Sequence, residues 1–239
     1  VLCSLYLQPG FRAGGAGRLL SKCRFLFMGN FPERFADKVI AEMRGVSDDA
    51  GRSPFWEGLG RHFFSIDYSE AEHIVGMGNK AVIAELMPPH PIYSVLLPKE
   101  AQEVMGRVHP QTAPALHLLE QEGFRYQGYI DIFDGGPTVE APLMDIRTIR
   151  KSQVLPCRII VGAPASGPTH LVANTQLQDF RCTLTPLASP SADADHLVIS
   201  NLATQAFAQY VALHSRETPP RLYYITPTGD EVPPRADDT

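Results

Sequence analysis

LYLQPGFRAGGAGRLLSKCRFLF, residues 5–27, decides how the chain is read. An apolar run ends at Pro9-Gly10. A bend follows with one arginine and three glycines between Arg12 and Gly17, and then apolar residues at helical spacing. Leu19, Leu20, Cys23, Phe27 and Met28 predict a helix over 17–31, and residues 1–8 read as a strand. A helix start exposes several unpaired N–H groups and the positive end of the macrodipole, so it attracts anions. Glycines there let a phosphate approach the backbone without Cβ atoms in the way.

Arg12 to Gly17 fits R-x-x-G-x-G. A phosphate-binding P-loop needs Lys-Ser/Thr after its last glycine, and here Arg18-Leu19 follows. The dinucleotide fingerprint needs a different glycine spacing and an acidic residue after the next strand. A tight structural turn is the competing reading of the bend.

Working outward, Lys38–Met43 (KVIAEM) reads as a strand, and Ser53-Pro54 opens a helix through PFWEGLGRHFF, with serine as cap and proline in the first turn. Lys80–Met87 (KAVIAELM) is a strand stopped by PPHP, and 98–108 and 113–122 are helices, the second closed by Gly123. Residues 124–133 alternate as a strand, which turns through Asp134-Gly135-Gly136-Pro137 into 138–143. The two strand-then-helix units around KVIAEM and KAVIAELM echo one another. A duplication and a chance likeness both account for that. Beyond Lys151, short strand-like runs appear (CRIIVG, HLVAN, FRCTLTPL, HLVIS), and ETPPRLYYITPTGDEVPPRADDT reads as a frayed tail. The expected division is 1–150 and a β-rich 151–239.

Composition bounds the function. The 239 residues are 44% hydrophobic and 20% charged, with a net charge of −5. No apolar run approaches the roughly 18 residues that span a bilayer, and the acidic balance argues against a nucleic-acid partner. Neither excludes a local positive pocket for one phosphorylated ligand. Cys3, Cys23, Cys157 and Cys182 fit no metal spacing and read as buried or incidental thiols of a reducing compartment, so the cytoplasm is expected. The chain starts without Met, and VLCSLYL looks like mid-strand; a preceding segment is expected.

Strand, R-x-x-G-x-G, helix resembles the pyrophosphate loop of the GNAT acyltransferases. SPFWEGLGRHFFSIDY, KAVIAELMPPHPIY, VHPQTAPALHLLEQEGFRY and YIDIFDGGPTVEA resemble arginine N-succinyltransferases, densely over residues 1–151 and loosely beyond. The resemblance implies an α/β fold with a mixed, mainly antiparallel sheet flanked by helices. It also implies transfer of a succinyl group from succinyl-CoA to the α-amino group of L-arginine in arginine catabolism, with no metal. A non-catalytic or partner-dependent subunit, or an enzyme acting on ornithine, are the alternatives, and a homo- or hetero-oligomer is expected.

The amine must lose a proton to attack the thioester, and the departing thiolate needs one, which suits a histidine. Within Gly106-Arg107-Val108-His109-Pro110, His109 matches the family's proton donor. His90 is the second choice, His62 reads as packed among aromatics, and His117, His170, His196 and His214 have no supporting context. Leu5 matches a succinyl-CoA contact, made through its strand backbone, and Leu7 shares that role. By the same resemblance, Arg12, Gly15 and Gly17 would provide the diphosphate cradle. For the guanidinium, Asp131, Asp134, Glu42 and Glu85 are candidates; for the succinyl carboxylate, Arg44 or Lys80.

Overall fold

The computed structural model describes residues 1–3, 5–12, 14–76, 90–160, 168–186, 197–200 and 221–225. Packing divides the chain into two compact units. One comprises Val1–Cys3 and Lys38–Ala141, the other Ser4–Asp37 and Pro142–Thr239. The expected division at residue 150 runs along the chain; packing instead groups the glycine bend and its helix with the β-rich region.

In the first unit, β1 (Lys38–Glu42), β2 (Arg125–Ile130) and β3 (Pro137–Pro142) form a sheet in the order β1-β3-β2, with β2 and β3 antiparallel. Ser53 accepts the Trp56 amide at 3.3 Å and Pro54 opens α2 (Pro54–Gly58), as the cap chemistry predicts. That helix is shorter than expected, because Leu59 leaves helical geometry (φ −129°) and the chain continues as a 3-10 turn over Gly60–His62. α3 (Tyr68–Gly76) follows, then α4 (Lys99–Val104) and α5 (Ala113–Gln121). The core is aromatic. Trp56 is 1% exposed, stacks on Phe64 and Phe133 with centroids 5.5 and 5.6 Å away, and donates its Nε1 hydrogen to Ile66 O at 3.0 Å. A Cβ at Gly60 would lie 2.2 Å from Trp56 Cε3, so this position has room for glycine only. His62 is exposed rather than packed among those rings.

In the second unit, α1 (Ala16–Asn30) packs on β5 (Thr169–Asn174) and β6 (Cys182–Pro186). Leu26, Leu171 and Ala173 are fully buried there, with Leu19, Phe180 and Leu184 against them. α6 (Arg147–Arg150), β4 (Gln153–Ile160), β7 (Leu197–Ser200) and β8 (Arg221–Ile225) complete the described elements. The sheet order is β6-β5-β8-β4-β7; β4 and β7 run parallel and the other pairs antiparallel. For Arg221–Ile225, β8 corrects the expectation of a frayed tail, because it is the middle strand, bonded to β4 and β5; the rest of that stretch lies outside the described residues.

The strand expected over residues 1–8 is also corrected. Leu2 alone makes a bridge, parallel to Ala41, and residues 5–8 join no strand. A strand exists only where a neighbour completes its hydrogen bonds, and Pro9-Gly10 turns the chain into a 3-10 turn first. The KAVIAELM strand, half of the apparent duplication, lies outside the described residues.

Candidate active-site elements

The glycine bend belongs to the second unit. Gly14 (φ 61°) and Gly15 (φ 81°) take the left-handed conformation that side chains resist. A Cβ at Gly14 would meet nothing within 4 Å, while one at Gly15 would touch Leu184 Cδ1 at 3.4 Å. Gly15 caps α1 without any side-chain hydrogen bond, and the first intrahelical bond is Leu19 N–H to Gly15 O at 3.0 Å. The amides of Ala16, Gly17 and Arg18 precede that bond, and the first turn has no acidic side chain. Gly17 sits inside the first turn, where a Cβ would make an ordinary 3.8 Å contact with Leu7 Cδ2. The conformational demand thus falls on Gly14 and Gly15.

Arg12 is exposed, and its Nε donates to Leu7 O at 2.9 Å. That tether uses one of the guanidinium's five N–H groups and engages the Leu7 carbonyl within the loop. Leu5, 42% exposed, is in no strand, so the ladder-like backbone contact expected of it has no strand behind it. The first-turn amides, with no side-chain cap, together with a tethered guanidinium are donors of the kind a diphosphate needs.

His109 belongs to the first unit. Its amide donates to Arg44 O at 2.8 Å, its carbonyl accepts from Thr112 at 2.8 Å, and Val108 forms an antiparallel bridge with Gly45. The half-buried ring accepts the Gln111 amide at Nδ1, 3.2 Å away. That bond requires the Nδ1 lone pair, so the neutral ring carries its hydrogen on Nε2.

The other candidates divide by burial. Asp134, 5% exposed, accepts the amides of Gly45 (2.6 Å) and Gly136 (2.8 Å) and the Tyr68 hydroxyl (3.4 Å). Its carboxylate is committed inside the fold, which corrects its expected role as a guanidinium ligand. Asp131 is half-buried and accepts the Phe133 amide at 2.7 Å. Burial pushes its carboxyl up from the ordinary range, and the charges of Asp134 and Glu42 add to the effect. Glu42 is exposed; so is Arg44, which donates to Ser47 Oγ at 2.9 Å. Glu85 and Lys80 lie outside the described residues.

Among the remaining histidines, His73, His90 and His117 are exposed. Buried His170 has its Nδ1 2.8 Å from Pro168 O, and burial pushes its pKa down. Cys3 is exposed, while Cys23 and Cys182 are half-buried with thiols pushed up by burial. Among the described residues, no group of three or more His, Cys, Asp or Glu is placed to hold a metal, and no helix is long and apolar enough to cross a membrane.

The described elements are an α/β fold, a helix start with no side-chain cap, and a half-buried histidine whose Nδ1 accepts a backbone amide. The family Arginine N-succinyltransferase beta subunit matches residues 1–148, and its C-terminal domain matches residues 150–207. The chain belongs to the arginine N-succinyltransferase beta subunit family. Relatives named arginine N-succinyltransferase from Escherichia coli O1:K1 / APEC and from Escherichia coli O139:H28 (strain E24377A / ETEC) are each 56% identical over 185 residues. Those alignments cover 77% of this chain and 53% of each relative, so the chain spans about half their length. A solved structure of arginine/ornithine succinyltransferase subunit AI from Pseudomonas aeruginosa matches with a TM-score of 0.76 and 38% identity, covering 93% of this chain and 61% of that one. The fold class is the GNAT-like α/β architecture expected above.

Proposed function

We propose that this chain carries acyl-transfer machinery of an arginine N-succinyltransferase, which moves the succinyl group of succinyl-CoA onto the α-amino group of L-arginine in arginine catabolism. The observation that carries this reading is His109, in the motif that resembles the family's proton donor, with its Nδ1 occupied by the Gln111 amide. Nε2 then carries the ring hydrogen and is the nitrogen that donates. In the reaction the amine nitrogen forms a bond to the thioester carbonyl carbon and the carbon–sulfur bond breaks. The amine loses its proton to solvent, and His109 gives its Nε2 hydrogen to the departing sulfur while Nδ1 takes up a proton from solvent in place of the Gln111 amide contact.

The bend from Arg12 to Gly17 would hold the coenzyme's diphosphate. Its open amides and the helix dipole, about half a unit charge, attract the anion, and the Arg12 guanidinium adds a charge-assisted donor. Leu5 and Leu7 would lie along the pantetheine arm. We place the reaction in the cytoplasm, without a metal, in a homo- or hetero-oligomer. Exposed Tyr93, Val95 and Leu96 support a partner surface.

Incubation of the purified protein with L-arginine and succinyl-CoA, following free thiol, tests the reading. Arginine-dependent release is expected, and no release above background contradicts it. An L-ornithine arm is warranted because the Pseudomonas aeruginosa relative is named for both amino acids; release with ornithine alone would move the assignment to that amine.

A further inference from the structure

Asp134 is a buried acid that the chemistry above does not use, and its surroundings are specialised for it. A Cβ at Gly45 would lie 2.4 Å from Asp134 O, and one at Gly136 would lie 2.1 Å from Met43 O. Two glycines therefore bring their amides onto one carboxylate, each oxygen taking one N–H, with the Tyr68 hydroxyl as a third donor. Hydrogen bonds to an ionised carboxylate are stronger than neutral ones, so Asp134 fixes the Met43–Gly45 segment against the 134–136 turn.

The histidine motif is fastened to those same two segments. Arg44 O accepts the His109 amide at 2.8 Å, Gly45 pairs with Val108, and Gly135 O accepts the Gly106 amide at 2.7 Å. Gly106 takes φ 71°, with Tyr126 Oη 2.7 Å from where a Cβ would stand, so this end of the motif has little room to shift. One carboxylate thus ties together both anchors of residues 106–109.

We infer that Asp134 is a positioning residue for His109. It acts through the Gly45 and Gly136 amides and the Arg44 carbonyl, and it touches no substrate. The inference rests on His109 being the proton-transfer group. Asp134→Asn keeps size and shape but turns one acceptor oxygen into an NH2 that faces an amide donor. In the folded variant, kcat should fall on the order of 10–100-fold, since small misplacements of a catalytic group cost that much. KM for both substrates should stay near wild type, because neither contacts Asp134.

The double variant Asp134→Asn/His109→Ala should be no slower than His109→Ala alone, as expected when one residue acts through the other. Unchanged kcat in folded Asp134→Asn overturns the inference, and so does a fully additive loss in the double variant. Should that variant not fold, Tyr68→Phe removes only the third donor. There kcat should fall about 3-fold with KM retained, and a wild-type kcat overturns the inference. A His109→Ala variant with wild-type kcat would instead sink the reading of His109 itself.

Discussion

Two glycine-rich turns in this chain use the same chemistry to opposite ends. Around Asp134, the amides of Gly45 and Gly136 converge on a carboxylate that the chain itself supplies, and the assembly is buried. At the head of α1, Gly14 and Gly15 turn the chain with left-handed torsions, but no side chain caps the helix and the bend is exposed. A nest of amides filled from within stabilises and positions. A nest left open is what the proposed diphosphate site needs, because its donors gain a partner only from outside. Glycine content alone does not separate the two; what occupies the amides does.

Breaking the first unit's function comes first in size. His109→Ala should lower kcat/KM on the order of 10²–10⁴-fold, the range for a lost general acid or base, read by thiol release on protein whose melting is unchanged. Breaking its structure comes next. Trp56→Ala removes a fully packed ring and should cost about 3–5 kcal/mol, visible as a lower urea midpoint. Arg12→Ala acts on the open turn and should raise KM for succinyl-CoA about 10-fold with kcat kept, as for one lost charge-assisted bond; an unchanged KM would reduce Arg12 to a loop tether. Gly15→Ala forces a side chain into φ 81° and should cost about 1–2 kcal/mol.

The smallest effect concerns Asp131. Its folded-state pKa is raised by burial, so the stability associated with its protonated form is complete below the unfolded value and is lost as pH rises through the folded one. Asp131→Asn keeps an acceptor for the Phe133 amide and avoids a buried charge. It should match wild type below about pH 4 and be modestly more stable at neutral pH, measured by denaturant midpoints. Equal midpoints at both pH values would contradict that.

Local chemistry was legible. The spacing from Leu19 to Met28 gives α1, Ser53-Pro54 gives the start of α2, and Gly123, at φ 102°, ends α5. What depended on partners was not. Residues 1–8 are apolar enough for a strand, but the described ones among them make one bridge only. RLYYI was masked by flanking prolines although its β-branched and aromatic residues are a strand signal, and β8 proves central. Apolar spacing alone does not announce α3, yet Asp67 followed three residues later by Glu70 is a recognisable helix opening. Asp134 looked like a substrate ligand because its donor Gly45 lies 89 residues away in sequence. No local pattern announces that a carboxylate is already occupied.

The contrast between the open and the filled turn is tested most directly by amide resonances in 15N-labelled protein during a coenzyme A titration, with pantetheine as control. The account predicts saturating shifts at Gly14 to Arg18 with coenzyme A, none there with pantetheine, and none at Gly45 or Gly136 with either. Silent bend amides under saturating coenzyme A, or an equal response to pantetheine, would contradict it.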